Sequence, residues 1–207
     1  DLKPSDFLAG QTNLLNQRAD ADLYPEQDRH SAYFNISQEL GERVRFSADA
    51  RFSRREIELR RPASIVVFSV TRANPFFVSP NGSTSHTIGY SFVDEIGPAL
   101  TTGSSESLGL SAGLDLDLGR DWRGEIYVSH ASETGRRQAV NLANTRFLNE
   151  ALGVIPDDPA TDYIAARDGY FNPFGDTGAN STAVLSFIGS GYNRTVSAST
   201  VDAIEAK

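Results

Sequence analysis

Gly109-Leu110-Ser111-Ala112-Gly113 has the G-x-S-x-G spacing of a nucleophile elbow. There a serine at a sharp strand-to-helix bend attacks an acyl carbon. No bend follows here, because strand-like alternation runs on for five residues past Gly113, and the nearest downstream histidine is His130. Small residues on a polar strand face account for the match. Asp115-Leu116-Asp117-Leu118-Gly119-Arg120-Asp121 opens like a calcium loop. The glycine and bidentate glutamate that such a loop needs at its sixth and twelfth positions are replaced by Arg120 and Ile126. His30, His86 and His130 form no metal-spaced pair, and with no cysteine there are no disulfides, thiol chemistry or Cys-based metal sites. The acceptor patterns at Asn35, Asn81, Asn180 and Asn193 arise by chance in a chain rich in Asn, Ser and Thr. The sequence therefore assigns no catalytic residue, no metal ligand and no cofactor.

Binding residues are better represented. Asn74-Pro75-Phe76-Phe77 and Phe171-Asn172-Pro173-Phe174 put aromatics into connecting segments, with Tyr163 and Tyr170 close by. Phe76, Phe77, Tyr163, Tyr170, Phe171 and Phe174 are the candidate ligand-binding residues, since aromatic faces stack on sugars or flat ligands. The same rings would equally form small apolar clusters that pin a long loop, and both readings stand. Asp157, Asp158, Asp162 and Asp168 add acid to one of these loops. Arg43, Arg45, Arg51, Arg54, Arg55, Arg60 and Arg61 make the one basic cluster. Their acidic neighbours favour cross-strand ion pairing or an anion-attracting wall over a phosphate or nucleic-acid site.

The whole chain bounds what can carry these residues. Nineteen Lys plus Arg against 27 Asp plus Glu give a net charge of −8, which argues against a nucleic-acid partner. With 39% hydrophobic and 22% charged residues, the chain is too apolar to be a disordered tail. Its longest nearly unbroken apolar run, 65–70, is far short of the roughly 20 residues of a membrane helix. A membrane strand is not excluded, because its signal is alternation. The chain holds no methionine and opens on Asp1, so it is expected to be a processed product or an internal piece of a longer protein.

Residues 1–29 read as loop or linker. From Ala32 a period of two begins, with Phe34, Ile36 and Leu40 on one face. After the turn Gly41-Glu42-Arg43 it resumes, with Val44, Phe46, Ala48, Ala50 and Phe52 set against Arg45, Ser47, Asp49, Arg51 and Ser53. This predicts a hairpin with one apolar and one wet face. After Arg54-Arg55 the phase slips, which a bulge or an exit from the buried zone would explain. A second hairpin repeats the design. Leu108, Leu110, Ala112, Leu114, Leu116 and Leu118 alternate with Gly109, Ser111, Gly113, Asp115 and Asp117, and Gly119-Arg120-Asp121 turns the chain into Trp122. Between and after the hairpins, strands are expected over 64–71, 87–96 and 193–206, and helices over 140–152 and 181–189.

Very short turns thus alternate with connections of roughly forty to sixty residues, whereas loops in compact soluble domains run about 4–6. Membrane barrels show this asymmetry by rule. The small and charged face of 109–117 suits a water-filled lumen, and the leucine face suits lipid. The expected class is all-β: antiparallel strands forming part of a transmembrane β-barrel, with short periplasmic turns and long extracellular loops at about 62–103 and 134–192. A soluble or cell-surface β-domain that binds glycans or proteins through its long loops is the alternative.

Residues 30–207 resemble part of a TonB-dependent outer-membrane receptor. The resemblance is carried by the Leu-Gly-Arg-Asp-Trp turn at 118–122, its partner at 40–44, and the Tyr-Phe-Asn-Pro-Phe-Gly-Asp loop at 170–176 before a returning strand. It implies a partial barrel with the plug domain absent and a location in the outer membrane of a Gram-negative cell. It also implies active uptake of a scarce nutrient such as a siderophore, cobalamin or saccharide, with no enzymatic activity. Outer-membrane lipid, a small-molecule ligand and the TonB energy-coupling complex, acting through parts missing from this chain, are the implied partners. Nucleic acid is not among them.

Overall fold

The computed structural model describes every residue except 1, 9, 11–13, 19 and 177. Part of the expected 1–29 loop therefore lies outside the described residues. In chain order the elements are β1 (Glu26–Glu39), β2 (Val44–Arg61), β3 (Ile65–Thr71), β4 (Ser85–Ser91), β5 (Ala99–Gly119), β6 (Trp122–Leu142), α1 (Thr145–Ala151), α2 (Ala165–Asp168), α3 (Thr182–Ile188) and β7 (Gly191–Ala206). The class is all-β with antiparallel strands. The chain divides into two compact units. One comprises Asp1–Tyr24, Leu59–Thr101 and Ala139–Asn193; the other comprises Pro25–Glu58, Thr102–Gln138 and Arg194–Lys207.

The second unit is built on a five-stranded sheet in the order β1-β2-β5-β6-β7. Among the described residues the sheet is open, with β1 and β7 at its edges. Alternation sets its two faces, because successive side chains on a strand point to opposite sides. Pairing of β1 with β2 runs unbroken from Glu26↔Glu58 to Glu39↔Arg45, setting Ala32 against Phe52, Phe34 against Ala50 and Ile36 against Ala48. Of the two explanations for the phase slip after Arg54-Arg55, a bulge is excluded through Glu58 by this unbroken pairing. Ile57 keeps its place on the polar face by packing over Gly103, where a Cβ would lie 3.0 Å from its Cγ1. β1 also starts at Glu26, inside the stretch expected to be loop, because backbone ladder bonds do not require apolar side chains.

Both hairpin turns depend on left-handed backbone. Gly41 sits at φ 113° where Leu40 N–H donates to the Val44 carbonyl at 2.7 Å. Gly119, Arg120 and Asp121 all have positive φ, and only the first is spared the Cβ clash that this conformation brings.

The first unit is assembled from the long connections. β3 and β4 pair antiparallel from Ile65↔Ser91 to Thr71↔Ser85. The strand expected over 87–96 ends at Ser91 because the chain folds back, with Ile96 and Gly97 N–H both donating to the Phe92 carbonyl. The helix expected over 140–152 shrinks to α1, since 140–142 belong to β6 and Asn144 caps the helix by accepting from Arg146 and Phe147 N–H. Ser181 caps α3 by accepting from Val184 N–H, and the helix expected over 181–189 is found as α3. Phe68, Val70, Phe92, Leu148, Leu152, Phe171, Val184 and Ile188 form one buried core.

Candidate functional site

The six aromatic candidates all fall in the first unit. Phe171 is fully buried, and Tyr163 and Phe174 are 6% and 4% exposed. Phe171 meets Phe68, Tyr90 and Phe92 edge-on or tilted at 5.2–6.3 Å between ring centres. Tyr163 stacks on Phe187 at 4.1 Å, and Phe187 stacks on Phe147 at 4.3 Å. The Tyr163 hydroxyl donates to the Gly169 carbonyl at 2.5 Å, and burial raises its pKa well above the usual phenol range. These three rings hold the connections together and leave little face for a ligand. Phe77 is half-buried and stacks on His86 at 5.6 Å, Tyr170 packs against the core, and Phe76 is the most open of the six at 36% exposed.

Two Asn-Pro-Phe segments work alike. Asn74 and Asn172 each accept from the backbone N–H two residues on, at 2.9 and 3.0 Å, which closes an Asx turn. Buried Asn74 also donates to the Leu152 and Phe171 carbonyls at 3.3 and 2.9 Å, tying three distant connections at one side chain. The repeated triplet was the available signal for this role. The sequence reading weighed its phenylalanines and passed over its asparagines.

A cavity of about 490 Å³ opens beside this core, lined by Gln17, Tyr90, Asp94, Glu95 and Asp176 among others. Glu95 Oε1 accepts from the Tyr90 hydroxyl at 2.8 Å and from Asn180 Nδ2 at 3.0 Å. Its Oε2 is buried with no hydrogen-bond partner among the described residues. Tyr90 is held protonated by its burial first, and then by the hydrogen bond and charge of Glu95 with that of Asp94. The arrangement presents carboxylate acceptors and suits a cationic or hydroxyl-bearing ligand. The sequence reading missed Tyr90 and Glu95, because their meeting with Asn180 joins positions 85 residues apart.

In the second unit, contacts assign the two sheet faces. A Cβ on Gly109 would run into Arg51, one on Gly113 would approach Ser47 and Tyr127, and one on Gly135 would meet Ser197. Ser111 donates to Asp49, and Ser105 donates to Glu133 at 3.4 Å. Odd-numbered residues thus share one polar face. It carries hollows of about 380 and 580 Å³ whose charged linings include Arg51 and Glu133 in one, and Arg43, Arg45, Asp115, Asp117, Arg123 and Glu125 in the other. His130 lies on the opposite face, bonded to Asp202 at 2.7 Å, so Ser111 and His130 form no dyad. Among the described residues no group of three or more His, Asp or Glu is placed to hold a metal ion.

The even face carries a band of exposed apolar side chains. Phe34, Leu118, Trp122 and Ile204 are 60%, 61%, 72% and 83% exposed, and Ile36, Phe52, Leu108, Leu110, Ile126, Val128 and Val196 are also open. No helix among the described residues is long and apolar enough to cross a membrane, which says nothing of a β-barrel. No family model, curated protein or solved structure matches this chain.

Proposed function

We propose that the chain is part of an outer-membrane β-barrel receptor of the TonB-dependent kind, in which the sheet is barrel wall and the long connections that build the first unit are extracellular and meet a nutrient ligand. One observation carries the reading: among the described residues, the apolar side chains on the even face of the sheet are exposed. In a soluble sandwich that face would be interior, and an exposed apolar patch of this extent marks a membrane or partner surface. Dimensions agree. Leu108 to Leu118 covers roughly 34 Å at about 3.4 Å per residue, or about 24–28 Å across a bilayer at strand tilts of 35–45°. The apolar band of such barrels is about 25 Å tall. Trp122 then falls at the headgroup level beside the short turn, and the odd face, with Arg51 lying over Gly109, faces a wet lumen.

On this reading the nutrient is taken up at the cavity beside Glu95, with outer-membrane lipid and an energy-coupling complex as the other partners. Source cells are fractionated and blotted with antibody to residues 62–103, with boiled and unboiled lanes. An outer-membrane band that shifts on boiling is expected. A soluble or secreted band with no shift would overturn the proposal and favour a loop-binding β-domain in its place.

A further inference from the structure

Asn81 and Gly82 lie in the connection between β3 and β4, and both are exposed. Asn81 is the chain's only asparagine followed by glycine. Its Oδ1 accepts from Ser83 N–H at 3.1 Å and from the Ser79 hydroxyl at 3.4 Å. The first of these bonds closes an Asx turn whose ring encloses the Gly82 nitrogen. Gly82 N–H donates to nothing among the described residues, and a Cβ there would meet only open space, so the nitrogen is unscreened. The two donors on Oδ1 draw charge away from Asn81 Cγ and stand ready for an oxyanion formed at that oxygen. Other asparagines lack this set. Asn74 and Asn172 precede proline, which has no N–H to give up. Asn180 is buried, with its amide nitrogen donating to Glu95 and to the Asn172 carbonyl.

We propose that Asn81 is a site of spontaneous covalent modification, at which the chain's own backbone converts the asparagine to aspartate and isoaspartate. Base removes the Gly82 amide proton, and the nitrogen bonds to Asn81 Cγ. Oδ1 takes the negative charge under the Ser83 and Ser79 donors. The Cγ–Nδ2 bond then breaks, and Nδ2 leaves as ammonia with a proton from water. Water opens the resulting cyclic imide at either carbonyl. One opening gives aspartate, and the other reroutes the main chain through Cγ. Either product places a carboxylate one residue from the Gly82 carbonyl, to which Arg72 Nη2 donates at 3.4 Å. Arg72 makes no ion pair among the described residues, so the new charge forms beside an unneutralised guanidinium. The chemistry needs only this connection and is independent of the membrane reading.

The test ages the full chain at neutral pH in mild detergent and in water enriched in heavy oxygen. The chain is then digested, and each asparagine-bearing peptide is read by mass spectrometry. Asn81 should lose ammonia first, take up heavy oxygen and give two separable products, while exposed Asn35, Asn141 and Asn193 stay intact. Gly82→Pro should abolish the loss, since proline has no N–H with which to attack. Ser83→Pro removes the backbone donor to Oδ1 and should slow the loss about tenfold, the effect of one hydrogen bond. Loss at Asn81 no faster than at the other exposed asparagines overturns the proposal, and so does loss that persists in Gly82→Pro. A Ser83→Pro chain that reacts as fast as the parent overturns the assistance assigned to the turn.

Discussion

Phe171 and Leu110 are both apolar, yet the first is sealed inside the unit formed by the long connections and the second stands open on the sheet. The region that reads as irregular loop has the conventional interior, with aromatic rings packed at 5–6 Å and backbone carbonyls satisfied by buried asparagines. The region with the most regular pattern has its apolar side outward. Regular alternation therefore does not mark a core. It marks a two-faced surface, and whether that surface is finished by protein or by lipid depends on what else packs there.

The contrast can be broken most forcefully inside the first unit. Phe171→Ala should cost about 3–5 kcal/mol, read as a lowered denaturation midpoint and faster proteolysis of the connections. Little change would mean that the aromatic cluster is not a core. Leu110→Arg tests the other side. It should reduce bilayer insertion by about 2–4 kcal/mol if the stripe faces lipid, and an unaltered membrane partition would identify the face as water-exposed. Asn74→Ala should destabilise the first unit by about 1–3 kcal/mol, because two buried carbonyls lose their donor. Hydrogen exchange should then speed up at Phe76, whose N–H the Asn74 side chain accepts.

The smallest effect concerns Asp168. Its carboxylate accepts from Arg167 at 2.8 Å and from Ile164 N–H at 2.9 Å, chiefly the former lowering its pKa from 3.8 to about 2. A depressed acid contributes stability that is present above its unfolded value and lost as pH falls through its folded one. The turn at α2 should therefore loosen between about pH 4 and pH 2, and Asp168→Asn should flatten that dependence. A variant as acid-sensitive as the parent chain would show that Asp168 is not the group responsible.

Much of the sheet was legible in advance. The hairpins around Gly41 and Gly119 were read from period-two alternation and turn residues, and both turns use positive φ at a glycine. Strand ends were misjudged where polar residues continue a ladder, as at Glu26 on β1, and where apolar spacing reads as helix, as at Val140 of β6. A backbone hydrogen bond does not register the side chain's polarity, so hydropathy stops short of where pairing stops. The aromatic residues were found, but their role stayed open between ligand platform and loop pin. Glu95 was invisible, because nothing in its own neighbourhood distinguishes a buried carboxylate from a solvated one.

By itself the sequence determined the all-β class, the two-faced strands, the tight turns and the absence of thiol chemistry. These are local properties, set by backbone period, by glycine's freedom at positive φ and by composition. Tertiary structure alone decided that the long connections share a core, that Asn74 and Asn180 hold remote segments, that Ser111 and His130 lie on opposite faces, and that the leucine stripe is exposed among the described residues. Each of those depends on which distant residues meet, and chain entropy lets many meetings compete until packing selects one.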